Sequence, residues 1–157
     1  MKKLLVLGLV AVSTLIASSK PVHAGTAGRG MVYSADGYAN VRSAPNAKIL
    51  RRCPNGSVVF TETGYYYKGW LRIFSDRCGD GYMHESQLVY PEANVQFISR
   101  DGYTNVRSTP NGRIIGQIAT GRTAEVYLRK GKWLMIVSDD YSISGWVHQS
   151  QVNEKVD

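Results

Sequence analysis

Cysteine is nearly absent from this sequence: Cys53 and Cys78 are the only two in 157 residues. No cysteine–histidine group has the spacing of a zinc site, which needs three or four converging ligands. No metal and no cofactor is therefore expected. Long apolar runs are almost as scarce. Leu4–Ala17 is the one extended apolar stretch, and it is shorter than the roughly 20 residues that span a bilayer. Stable membrane insertion is not expected. No apolar pattern repeats at the helical period, so long helices are excluded beyond this stretch.

The chain also lacks a dense basic patch. Its formal charge is +7. Lys2, Lys3 and Lys20 belong to the N-terminal segment, and without them 16 basic side chains face 12 acidic ones, a net of +4. That is too weak for a nucleic-acid binder. It suits anionic envelope polymers or acidic proteins, or simply solubility.

The N-terminus is built for export. Two lysines precede the apolar run, and Val22-His23-Ala24 offers small residues where a signal peptidase reads. Residues 1–24 are expected to be a secretory signal peptide, cleaved after Ala24. The protein is then exported, periplasmic or secreted. Gly25–Gly30 follows as a Gly-rich flexible lead.

The mature part is one unit written twice. Asp36–Asn46 reads DGYANVRSAPN and Asp101–Asn111 reads DGYTNVRSTPN. A duplicated motif of this length divides the chain into residues 31–92 and 93–157. Asp36-Gly37 marks a turn and Tyr38–Arg42 a half-buried strand with Val41 inward. Ser43–Asn46 forms a loop around Pro45. Ile49–Cys53, Ser57–Thr63, Trp70–Phe74 and Tyr82–His84 follow as short strands. Pro54-Asn55-Gly56 is a turn, Gly64–Gly69 is a loop, and Ser86–Leu88 closes the unit with a helical turn. The second copy repeats the order, with Trp133–Val137 for Trp70–Phe74 and Gly145–His148 for Gly81–His84. Short strands and tight turns of this kind describe an all-β chain of two small antiparallel barrels. Units of about 60 residues bury little core, so packing between them or a covalent staple would help.

The order NVRS-x-P, strand, Gly-turn, strand, Trp-led strand and GWVH-x-S-x-V resembles the bacterial SH3-like domain, SH3b. Asn105–Ser108 and Gly145–His148 carry the pattern closely. The first copy has Tyr82 and Met83 where the pattern prefers Trp and Val. The resemblance implies two tandem five-stranded barrels. It also implies a binding role, either targeting to the cell wall or recognition of peptidoglycan peptides. Fold alone does not set function. Such domains are often joined to a catalytic domain, and no residues here are left to form one.

Cys53 takes the inward place of Ile118, and Cys78 lies in the loop before the last strand. Two cysteines in one small exported domain are expected to pair. The competing reading, a thiol at Cys78 activated by His84, lacks an orienting third group. His84 and His148 hold equivalent places and read as outward strand residues. Asp36 and Asp101 read as one turn made twice rather than as paired acids.

Tyrosine is abundant. Tyr38, Tyr65, Tyr66, Tyr67 and Trp70 are candidates for an aromatic ligand groove in the first copy. Tyr103, Tyr127 and Trp133 are their candidate counterparts. Stacking faces and hydroxyls suit sugars and extended peptides. Arg42 and Arg107 would add a carboxylate or phosphate contact. Alternatively Tyr38, Tyr103 and the tryptophans close the barrels and the arginines are solvated. The second copy replaces the tyrosine run with Arg129-Lys130-Gly131-Lys132. Together these features predict a non-catalytic wall binder, its ligand peptidoglycan stem peptide or glycan. The alternative is an inhibitor or immunity-type protein that acts on a wall-targeting enzyme or toxin, its partner then an envelope protein.

Overall fold

The computed structural model describes residues 28–155. The expected signal peptide, residues 1–24, lies outside the described residues. The chain is all-β, with two antiparallel sheets and two short 3-10 turns. The first sheet comprises β1 (Gly28–Val32), β2 (Tyr38–Arg42), β3 (Ile49–Pro54), β4 (Val58–Tyr67), β5 (Trp70–Phe74), β6 (Gly81–His84) and β7 (Leu88–Val89). Its order is β3-β2-β6-β5-β4-β1-β7. The second repeats this with β8 (Ala93–Phe97), β9 (Tyr103–Arg107), β10 (Ile114–Ala119), β11 (Thr123–Lys130), β12 (Trp133–Ser138), β13 (Ser144–His148) and β14 (Val152–Lys155). Each sheet wraps its own core as a small, partly open barrel. Seven strands replace the expected five, because the opening and closing segments pair with one another along one edge.

Two boundaries differ from the sequence reading. β1 starts at Gly28, inside the Gly-rich lead, because Gly28–Met31 pair with Val58–Thr61. Tyr65–Tyr67 are not a loop but the end of β4, where Tyr66 faces Leu71 and Tyr67 faces Trp70. The pairing jumps from Thr61 to Tyr66, whereas β11 jumps only from Val126 to Leu128. An irregularity in β4 absorbs the additional residues and lets the strand continue.

The repeated motif proves to be a fold-forming device. Gly37 and Gly102 both sit at φ +82°, and Asn46 and Asn111 at +57° and +58°. These left-handed positions favour glycine and asparagine. Val41 and Val106 are wholly buried. Between them and the asparagines, Arg42 Nη1 donates to the Ala47 carbonyl at 2.6 Å, and Arg107 Nη1 to that of Gly112 at 2.8 Å. Each arginine thus braces the loop that its own strand runs into. Gly81 and Gly145 are fixed by close approach: a Cβ at either would lie 2.7 Å from the carbonyl oxygen of Arg42 or Arg107.

Cys53 and Cys78 form a disulfide that ties β3 to the loop before β6. Both are buried in the first core, beside Ala39, Val41, Leu71, Ile73 and Met83. In the second barrel Ile118 and Ile143 pack into the corresponding core without a crosslink.

The barrels meet through a third apolar cluster of Met31, Tyr127, Met135, Val137 and Trp146. Val89, Met31 and Val58 are register partners across three strands, so they make one apolar row. In the second copy the same row is Asn153, Gln96 and Thr123. Conversely, Met135, Val137 and Trp146 correspond to Arg72, Phe74 and Tyr82. Each copy therefore carries one half of a head-to-tail contact. The contact cannot be repeated onto a third unit. β12 is consequently buried on both faces, as its unbroken Trp133–Val137 apolar run requires.

At the edge of this junction Arg29 pairs with Glu125. Tyr127 donates to the same carboxylate at 2.8 Å. Burial, then the Glu125 hydrogen bond, raise the Tyr127 pKa above its usual value of 10.0. The protonated phenol is thus favoured in the folded state, and its contribution is complete below pH 10 and lost above it. The denaturant midpoint is expected to fall as pH rises past about 10, and Tyr127→Phe should flatten that fall. An equally steep loss in the variant would contradict this.

Candidate functional site

The end of the β4–β5 hairpin carries exposed tyrosines on both of its faces. Tyr66 and Tyr67 are 36% and 58% exposed. The Tyr66 hydroxyl donates to Glu85 Oε1 at 3.1 Å. That bond, first of all, raises the Tyr66 pKa, so the phenol stays protonated and keeps its donor. Lys68 Nζ lies 5.3 Å from the Tyr67 ring centroid. The Tyr65 side chain lies outside the described residues.

Trp70 pairs with Tyr67 and shares its face, whereas Tyr66 pairs with Leu71 and points to the other face. His84 meets the Trp70 ring edge-on at 5.3 Å, and the Arg42 guanidinium lies 5.8 Å from its centroid. His84 is itself fixed. Its Nδ1 accepts the Ser86 N–H at 3.3 Å and lies 2.8 Å from the Ser86 hydroxyl. An Nδ1 that accepts a backbone proton leaves the proton of the neutral ring on Nε2. The histidine caps the 3-10 turn Glu85–Gln87, and this positions Glu85 under Tyr66. The signal for it was the His-x-Ser spacing present in both copies, read earlier only as an outward strand residue.

The remaining sequence candidates fall elsewhere. Tyr38 begins β2, and the Arg52 guanidinium covers its ring at 4.3 Å. Four residues of strand, roughly 13 Å, separate it from Arg42. Tyr103 holds the same place in β9 and is exposed. Neither joins the tryptophan face. Tyr127 is 2% exposed inside the junction, so it offers no surface to a ligand. Its place in the register is also different: Arg129 and Lys130, not Tyr127, stand opposite Leu134 and Trp133, where Tyr66 and Tyr67 stand opposite Leu71 and Trp70.

The second barrel keeps the scaffold and changes the surface. Trp133 meets His148 edge-on at 5.4 Å, and His148 caps its own 3-10 turn through Ser150. Trp133 also packs against the junction cluster. Arg129 is held by Glu92 and Glu154, each at 2.6 Å. This arginine ties the connector and β14 together.

Nothing in these residues assembles a nucleophile. Both sulfurs are committed to the disulfide, and among the described residues there is no free cysteine. Among them, too, no group of three or more His, Cys, Asp and Glu could hold a metal ion. No helix of the described residues is long and apolar enough to cross a membrane.

No family model matches the chain, and no curated protein matches it. Distant likeness to solved structures exists. NlpC2 of Trichomonas vaginalis aligns with 85% of this chain and 51% of its own, at 13% identity and a TM-score of 0.38. NlpC1 of the same organism aligns with 94% and 52%, at 15% identity and a TM-score of 0.38. A protein described as an autolysin of Listeria monocytogenes aligns with 83% and 63%, at 16% identity and a TM-score of 0.32. The chain spans about half the length of the two NlpC proteins. Likeness of this degree carries no conclusion about activity.

Proposed function

We propose that this is an exported, non-catalytic binding protein with two SH3b-like domains, and that the aromatic face of the first domain recognises cell-wall peptidoglycan. The observation that carries the reading is the exposure of Tyr67 beside a fixed Trp70–His84 pair on the same face of the hairpin. Exposed rings whose neighbours are braced bind at low entropic cost. The Tyr66 and Glu85 oxygens, meeting at the end of the same hairpin, add acceptors for a sugar hydroxyl or a peptide N–H. The SH3b-like sequence pattern, the leader and the disulfide favour an envelope location. A periplasmic or secreted site of action follows from the same features.

Cosedimentation with purified sacculi tests the reading. The protein is expected to pellet with the wall at low salt and to remain bound at about 1 M salt, where the screening length falls to roughly 3 Å. Release by salt would reduce the effect to charge attraction. Failure to pellet at all would overturn the wall reading and leave an envelope protein as the partner.

A further inference from the structure

Beside the apolar junction the barrels leave a cleft of about 450 Å³. That volume lies within the range of small-ligand sites. Ser57 just before β4, Phe60 of β4, and Asp76 and Arg77 of the loop after β5 line it, and the loop between β12 and β13 supplies Tyr141 and Ser142. None of these belongs to the Tyr67–Trp70 face.

Three features set the cleft apart. Ser57 is 2% exposed, and its hydroxyl has no hydrogen-bond partner among the described residues. Buried hydroxyls are nearly always paired. Tyr141 holds φ at +56°, a conformation an aromatic side chain rarely adopts. Its loop is pinned around the Asp140 carboxylate, which accepts from the Ser138 and Ser142 hydroxyls and the Ser142 N–H and pairs with Arg122. Strain that surrounding bonds enforce collects at functional sites. Finally, Tyr141 and Phe60 are both exposed and meet edge-on at 5.9 Å, with the Arg29 guanidinium 5.2 Å from the Tyr141 centroid.

The lining also selects the ligand. β4, β12 and β13 are each paired on both sides. They offer no backbone edge to an extended peptide, which binds such sheets by adding a strand. What the cleft offers is two exposed rings and the exposed, oppositely charged Asp76 and Arg77. A neutral polyhydroxylated ring matches all of these. Its C–H face stacks on an aromatic ring, while its hydroxyls donate to Asp76 and accept from Arg77. We propose that the inter-barrel cleft is a saccharide-binding site, separate from the aromatic face of the first barrel.

Titration of the isotope-labelled protein with N,N′-diacetylchitobiose, followed through backbone amide shifts, tests this. D-alanyl-D-alanine is titrated in parallel. Saturable shifts at Ser57, Phe60, Tyr141 and Ser142 are expected with the sugar and not with the dipeptide. Tyr141→Asn keeps a residue tolerant of the left-handed backbone and removes the ring. It should weaken binding by tenfold or more. Asp76→Ala, at an exposed position, should weaken binding by about tenfold, the worth of one hydrogen bond, while leaving the melting temperature unchanged. No shifts in the cleft, shifts with the dipeptide alone, or unchanged affinity in both variants would overturn the proposal. The aromatic face is judged separately, by sacculus binding of Tyr67→Ala, so either site can fail without the other.

Discussion

Trp146→Ala is expected to lower stability by about 3–5 kcal/mol, the usual cost of truncating a buried large aromatic, and to split thermal unfolding into two transitions. Trp146 is 8% exposed and packs in the junction with Met31, Tyr127, Met135 and Val137. Removing its indole opens a cavity where the two barrels hold each other. Barrels of this size keep little stability of their own, so their cooperation depends on that contact. The first copy contains the control. Tyr82 occupies the equivalent place on β6, where it faces no partner barrel and is half-buried. Tyr82→Ala should cost well under half as much, in the range of ordinary partly exposed substitutions, about 1 kcal/mol. Scanning calorimetry reads both variants. A single, barely shifted transition in Trp146→Ala would mean that the barrels do not stabilise one another.

Opening the Cys53–Cys78 disulfide is expected to cost about 3–4 kcal/mol, from the chain-entropy relation for a loop of this length. The two residues are 25 apart and both are buried. The second barrel fills the same region with Ile118 and Ile143. The first has a sulfur bridge instead, so it has less apolar volume to fall back on once reduced. The comparison is the denaturant midpoint with and without reductant, alongside Cys53→Ala/Cys78→Ala. Because the junction couples the barrels, the second should lose stability with the first. A shift of less than about 1 kcal/mol would put the first barrel's stability in its packing, outside the expected range for a native disulfide in a small domain.

Much of the architecture was legible from residues. Alternation placed Val41 inward, and it is wholly buried. The two cysteines pair as their number and setting implied. The duplicated motif returns once in each of the two sheets, and its physical content is visible only with the backbone: two left-handed positions and an arginine brace. The junction was not read. Its signal was the contrast between Trp133–Val137, apolar throughout, and Trp70–Phe74, interrupted by Arg72. A strand with both faces apolar must be covered on both, but periodicity does not say by what. Tyr127 was misplaced for a related reason. Sequence offset alone does not show where β4 takes up its additional residues, so a buried junction tyrosine was aligned with exposed ones. Tyr66 and Tyr67 were found because consecutive tyrosines cannot all point into one small core.

A division of labour between the copies accounts for these differences. The second copy turns its outer face into a dock for the first and holds its own hairpin end with Arg129 salt bridges. The first keeps its hairpin end open and aromatic. One comparison tests that claim most directly: high-salt sacculus binding of Tyr66→Ala/Tyr67→Ala against Arg129→Ala/Lys130→Ala. The account predicts that the tyrosine variant loses most of its binding, by about tenfold or more given roughly 1 kcal/mol per stacked ring, while the basic variant stays close to wild type. Retention of binding without the tyrosines, or its loss without Arg129 and Lys130, would contradict it.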